Sequence, residues 1–168
     1  MTRLNTDPEK WGDEAYFCDA CEKPFRTPMF DISKGYERTI YDGNRMPEVE
    51  IIGSGTIAQY CSDPCRVKKI SAVLAKENVR ATYPDIGPVE ACSRCGKPVD
   101  MTKFHLTYVD SDTEQDWDRM CATVTKTVVL AVLCDACAPP PQRLIAETDF
   151  PVSIKSEDLP PREYLKVD

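Results

Sequence analysis

Eight of the nine cysteines fall into four close pairs, Cys18/Cys21, Cys61/Cys65, Cys92/Cys95 and Cys134/Cys137. No other feature of the 168 residues restricts the fold as much. A Cys-x2-Cys turn sets two sulfurs along one edge of a tetrahedron with metal–sulfur bonds of about 2.3 Å, and a second pair from elsewhere in the chain completes the site. The first and second pairs are 39 residues apart and the third and fourth 38. The spacing predicts two metal sites of four cysteines each, Cys18, Cys21, Cys61 and Cys65 in one and Cys92, Cys95, Cys134 and Cys137 in the other. Grouping Cys61/Cys65 with Cys92/Cys95 is the alternative that spacing leaves open. Two Zn2+ are the expected cofactors, with iron the less favoured occupant of the same ligands.

The two halves form an approximate internal repeat with a period of about 73 residues. "CDACEKPF" and "CSRCGKPV" share C-x-x-C-x-K-P followed by an apolar residue, and "IAQYC" and "AVLC" lead into the later pairs. Each half is near the size at which an apolar core alone is marginal, so metal binding is expected to supply folding free energy. Four disulfides fit poorly, because residues 1–20 lack the apolar stretch of an export signal and adjacent cysteines make poor partners for separate bridges. The longest strongly apolar run, 128–133, is too short to cross a bilayer. Free thiolates without an export signal point to a reducing cytoplasm.

Along the chain, 1–14 reads as a polar lead-in, 15–80 as the first four-cysteine module, 81–91 as a Pro/Gly linker, 92–138 as the second module and 139–168 as a Pro-rich acidic tail. "FPVSI" within the tail is a candidate edge strand. In the first module, Thr39, Ile40 and Tyr41, the turn at 42–44 and the run "EVEIIGSGTIAQY" predict a hairpin, with the Gly53-Ser54-Gly55 stretch splitting its second strand. "CSDPCRVKKISAVLAKENVR" predicts a helix from about 63 to 78, with Asp63 as cap and Pro64 in the first turn. In the second module, "KFHLTYVDS" and "ATVTKTVVLAVLC" predict strands joined by an acidic loop, and the prolines after Cys137 argue against a following helix.

A knuckle, a hairpin and a last pair at a helix N-terminus make up the treble-clef plan. "CDACEKPF" and "YCSDPCRVKK" resemble treble-clef fingers of the FCS/MYM type and the small gyrase-inhibiting zinc proteins of bacteria. The resemblance covers some 25 residues and departs from them in a much longer hairpin insert. The second module, without a helix, is similar to a zinc ribbon. The expected fold is thus small α+β and metal-stabilised: two tandem zinc modules, treble-clef-like then ribbon-like, built of β-hairpins and one main helix.

Two surfaces stand out. On a helical wheel Arg66, Lys69, Lys76 and Arg80 fall on one side, with Val67, Ile70 and Leu74 on the adjacent face to be packed. In "DSDTEQDWD", acids alternate along an extended chain, so Asp112, Glu114 and Asp116 project to one side, with Trp117 among them as a contact anchor. The ninth cysteine, Cys121, reads as a buried structural residue, and His105, the one histidine, as a strand residue at a module edge. No catalytic constellation is expected. "GSG" lacks the Lys-Ser/Thr of a phosphate loop, the acidic run lacks the glycine and final acid of a calcium loop, and the zinc-deaminase motif is absent.

The formal charge of −7 becomes about −11 once each four-thiolate site holds a divalent ion. That acidity favours a non-enzymatic zinc-binding adaptor or inhibitor that acts on another protein, of the regulator, immunity or phage-type blocker kind. The alternative is a nucleic-acid-binding finger protein that uses the basic helix at 66–80.

Overall fold

A computed structural model describes residues 4–5, 15–26, 28–43, 46–85, 87–116, 119 and 121–141. Trp117, and the tail from 142 onward with "FPVSI", lie outside the described residues.

The elements are β1 (Leu4–Asn5), β2 (Ala15–Phe17), β3 (Pro24–Phe25), β4 (Met29–Ile40), β5 (Glu48–Tyr60), α1 (Asp63–Lys76), β6 (Val89–Ala91), β7 (Pro98–Asp100), β8 (His105–Asp116) and β9 (Cys121–Leu133). β4–β5 and β8–β9 are the two expected hairpins, both longer than expected. β4 already begins at Met29, and β8 runs through the acidic stretch to Asp116. The acids expected in a loop therefore stand on a strand. Gly53 and Gly55 do not split β5: Gly53 takes a positive φ of 67° at a register irregularity between β4 and β5. Opposite them, a Cβ on Gly35 would meet the Ser54 side chain at 2.7 Å, so only glycine admits this close approach of β4 and β5.

The hairpins join into one antiparallel sheet of order β5-β4-β8-β9. β4 pairs with β8 from Met29↔Thr113 to Glu37↔His105. Cys18 and Cys92 are 74 positions apart, as are Lys34 and Tyr108, which face each other in this pairing. On the same offset, Ile32↔Asp110 and Tyr36↔Leu106 exchange places. The internal repeat is therefore folded about a local two-fold axis through Lys34 and Tyr108, and each hairpin reaches toward the opposite module.

The core follows from this fusion. One buried cluster contains Ile32, Ala58, Tyr60 and Leu74 from the first half and Val99, Tyr108 and Leu130–Leu133 from the second. The stretch read as a linker is fastened to it: Ala81 packs against the cluster, the amides of Thr82 and Tyr83 bond to the Leu130 carbonyl, and residues 89–91 form β6 against β7.

Helix α1 is capped by Ser62, whose Oγ accepts from the Cys65 amide, and Asp63 is its first helical residue. It ends in a Schellman motif. Asn78 is left-handed at φ 55°, and the Val79 and Asn78 amides return to the Leu74 and Ala75 carbonyls. Its inward stripe is Arg66, Ile70, Val73 and Leu74, whereas Val67 is 63 % exposed. Ile70 and Leu74 pack as expected, while Arg66 and Val73 replace Val67, a rotation of the packed face by about 50°.

That rotation is driven by charge. Arg66 is 2 % exposed. Its Nη2 pairs with Asp63 Oδ1 at 2.7 Å and its Nη1 with Asp112 Oδ1 at 2.8 Å, while Nη1 also donates to the Ser111 carbonyl at 2.9 Å. Asp110 stands 3.9 Å away, and the guanidinium lies over the Phe30 ring. Arg66 is therefore no part of an outward basic stripe. It ties the first module's helix to the second module's central strand. Glu77 adds a second tie, accepting from Lys34 at 2.8 Å and from the Tyr108 hydroxyl at 3.1 Å.

Removing one partner of a buried charge group leaves the others desolvated and unpaired. Arg66→Ala is expected to cost about 3–5 kcal/mol of stability, and Arg66→Lys less, read from denaturant midpoints at constant slope. Asp31 offers a pH test. It is 9 % exposed, its Oδ1 has no partner, and burial pushes its carboxyl up to about 6 against the attraction of Arg66. A raised carboxyl pKa favours the folded state below the unfolded value and loses that contribution as pH climbs through the folded one. Asp31→Asn is therefore expected to stabilise the protein at pH 7.5 by about 1–3 kcal/mol and to flatten the stability profile between about pH 4 and 6. Unfolding curves at both pH values check this.

Candidate metal centres

Each cysteine pair is placed by its own local structure. In the first knuckle the Cys18 amide donates to the Lys23 carbonyl at 3.0 Å and the Glu22 amide to the Cys18 carbonyl at 2.9 Å. In the second, Cys92 to Lys97 and Gly96 to Cys92 repeat both bonds at 2.8 and 2.9 Å. Both knuckles turn on a left-handed residue, Glu22 at φ 62° and Gly96 at φ 75°.

Each knuckle is then fastened to the end of its hairpin's second strand. Asp19 and Gln59 exchange two hydrogen bonds, Asp19 N to Gln59 O at 2.9 Å and Gln59 N to Asp19 Oδ2 at 2.8 Å. Ser93 and Val132 do the same at 2.8 and 3.1 Å, with Ser93 Oγ as acceptor. These fastenings bring Cys18/Cys21 to Cys61 and Cys92/Cys95 to Cys134. The last ligand differs. Cys65 sits in the first turn of α1, whereas Cys137 closes a tight turn whose amide returns to the Cys134 carbonyl at 3.1 Å.

The result is two groups, Cys18, Cys21, Cys61 and Cys65, and Cys92, Cys95, Cys134 and Cys137, in each of which the four Sγ atoms lie within 4.8 Å of one another. This is the pairing expected from spacing, and the alternative grouping of the middle pairs is not formed. Sγ–Sγ separations of 3.7 Å (Cys21–Cys61), 3.9 Å (Cys61–Cys65), 3.8 Å (Cys92–Cys137) and 3.5 Å (Cys95–Cys134) bracket the tetrahedral edge of about 3.8 Å that metal–sulfur bonds of about 2.3 Å require. No two cysteines are joined as a disulfide.

The electrostatics also suit a cation. Backbone amides point at one sulfur in each group: Ala20 and Cys21 at Cys18 Sγ, 3.4 and 3.5 Å away, and Cys134 at Cys92 Sγ, 3.3 Å away. Burial works against these thiolates, but the amide bonds prevail and hold Cys18 at about 7 and Cys92 at about 6. Burial and then the neighbouring sulfurs push Cys61 and Cys137 up to about 12. Four sulfurs this close ionise together only around a positive ion. The residues fit a metal ion in both groups.

Of the surface residues singled out from sequence, Lys69, Lys76 and Arg80 are exposed, and none forms an ion pair among the described residues. Asp112 is turned inward to Arg66, Glu114 is exposed, the Asp116 side chain and Trp117 lie outside the described residues, and Arg66 is buried as above. The sequence-derived basic and acidic stripes thus partly neutralise each other inside the protein. Cys121 is exposed at the start of β9, contrary to the expectation of a buried residue. His105 is buried at the other end of β8, its Nδ1 2.8 Å from the Lys103 carbonyl oxygen, so the two form no dyad. Sequence reasoning missed Arg94, which donates to the Glu77, Asn78 and Cys137 carbonyls. Its place between Cys92 and Cys95 was the available signal.

No family model, curated protein or solved structure matches the chain. Among the described residues, no helix is long and apolar enough to cross a membrane.

Native mass spectrometry of the protein purified under reducing conditions is expected to find two metal ions per chain. Cobalt substitution is expected to give the intense visible bands of tetrahedral thiolate sites. Cys61→Ser or Cys134→Ser is each expected to remove one ion at limiting metal.

Proposed function

We propose that this protein is a non-enzymatic, zinc-stabilised adaptor or inhibitor that acts by binding another protein in a reducing cytoplasm. The observation that carries this reading is the closure of both centres. Cysteines supply all four tetrahedral positions in each, which leaves no coordination site for water or substrate. The ions then serve as struts at opposite ends of the shared sheet. Zinc is the occupant that best suits four thiolates in a site with a purely structural task.

The first module, with knuckle, hairpin and a last ligand in a helix, is assigned to the treble-clef plan and the second, with knuckle, hairpin and tight turn, to the ribbon plan. The far part of the β4–β5 hairpin offers apolar surface for a protein partner, with Met46 86 %, Val49 46 % and Ile51 44 % exposed.

A nucleic-acid role is the second reading, favoured by the exposed cations Lys69, Lys76 and Arg80. The net charge of −7 and the inward turn of Arg66 weigh against it.

Crosslinking of the metal-loaded full chain in its host is expected to trap a protein, lost in Met46→Asp and kept in a Lys69→Ala/Lys76→Ala variant. Oligonucleotide retention that falls steeply with salt and disappears in the lysine variant would overturn this reading in favour of the second.

A further inference from the structure

The local two-fold axis relates the hairpins and knuckles but is broken by α1, which begins within the first module's last cysteine pair and has no counterpart after the second among the described residues. Helix α1 begins at the first centre, with Cys65 in its first turn, and spans 14 residues, about 21 Å. Its other end meets the second centre. There Arg94 Nη2 donates to the Glu77 carbonyl at 3.1 Å, Nε to the Asn78 carbonyl at 2.9 Å and Nη1 to the Cys137 carbonyl at 3.0 Å. The position equivalent to Arg94 in the first knuckle is Ala20, whose methyl side chain donates no hydrogen bond.

One guanidinium thus holds three backbones together: the Cys92/Cys95 knuckle that carries it, the turn of Cys137, and the C-terminus of the helix that presents Cys65. Its charge also sits at the negative end of the helix dipole.

We infer that Arg94 is a positioning residue that couples the two four-cysteine centres, so that an ion in one raises the affinity of the other. This rests on the reading of both groups as metal sites. An empty second centre leaves four sulfurs with no ion to hold them together, which frees the knuckle and the Cys137 turn to move and releases the carbonyls of the helix end. The end of α1 then frays, and Cys65 is less firmly presented. Filling either centre fixes the shared helix and removes part of the ordering cost at the other. Coupling of this kind is reciprocal and commonly amounts to about 5–150-fold in affinity.

The test is stepwise addition of Zn2+ to the EDTA-stripped, reduced full chain, with native mass spectrometry counting chains that hold zero, one and two ions. Independent sites give at least about half of the chains singly loaded at half-saturation, and unequal affinities only raise that share. The wild type is expected to fall well below that share. Arg94→Ala is expected to restore the singly loaded species, with a coupling factor reduced at least about 5-fold, while still taking two ions. Arg94→Lys keeps the charge without the three-way fork and is expected to fall between them; it replaces Arg94→Ala if that variant does not fold. Arg80→Ala, a nearby exposed cation, is expected to match the wild type.

A wild type with half or more singly loaded chains, or an Arg94 variant with unchanged coupling, overturns the inference while leaving both metal sites intact. A chain that saturates with fewer than two ions overturns the underlying metal reading instead.

Discussion

The antiparallel pairing of β4 with β8 is the constraint on which the remaining structure depends. Its ladder, from Met29↔Thr113 to Glu37↔His105, makes the first strand of each hairpin an interior strand of one sheet. Because the strands run in opposite directions, each module's cysteines lie beside the far end of the other module's hairpin. The Thr39 amide accordingly bonds to the Met101 carbonyl, and Arg38 lies over Phe104. The long hairpin insert that sets the first module apart from small four-cysteine fingers thereby acquires a reason. A short hairpin closes a finger but cannot reach across to a second one.

Fusion of the halves changes how stability is distributed. A half of this size buries too little apolar surface to fold securely alone, and structural metal sites commonly supply the difference. Here the buried cluster crosses between the halves and takes in cysteines of both groups, so one core backs both candidate metal centres. The polar ties run the same way. Arg66 binds three carboxylates and a carbonyl drawn from both modules, and Glu77 joins Lys34 to Tyr108. Such groups cost desolvation and reward only one arrangement, so they fix the angle of the helix on the sheet more than they add net free energy.

Near-identical knuckles serve unlike surroundings. Both use the same amide bonds and the same left-handed turn, yet one is followed by a helix and the other by a tight turn. The proline run after Cys137 accounts for the lack of a second helix there among the described residues, since proline supplies no amide hydrogen for the helical ladder. Asymmetry around a symmetric frame leaves the helix spanning from one centre to the other.

The cysteine pairs, their grouping, both hairpins and the helix were legible from the sequence because each depends on spacing or periodicity within a few dozen residues. Ser62 as cap, the inward turn of Arg66, the exposure of Cys121 and the fastening of 81–91 to β9 and β7 were not. Each depends on which surfaces of distant segments meet. Arg66 reads as a surface residue until Asp110 and Asp112 are seen to lie across from it, and the acids read as a loop until β8 pairs with β9 as far as Asp116↔Cys121. The amino-acid order by itself determined where thiolates converge and what local elements carry them. Only the tertiary structure decided that the two lobes share one sheet, because backbone hydrogen bonding between β4 and β8 is set by register and burial, which leave no mark in either strand alone.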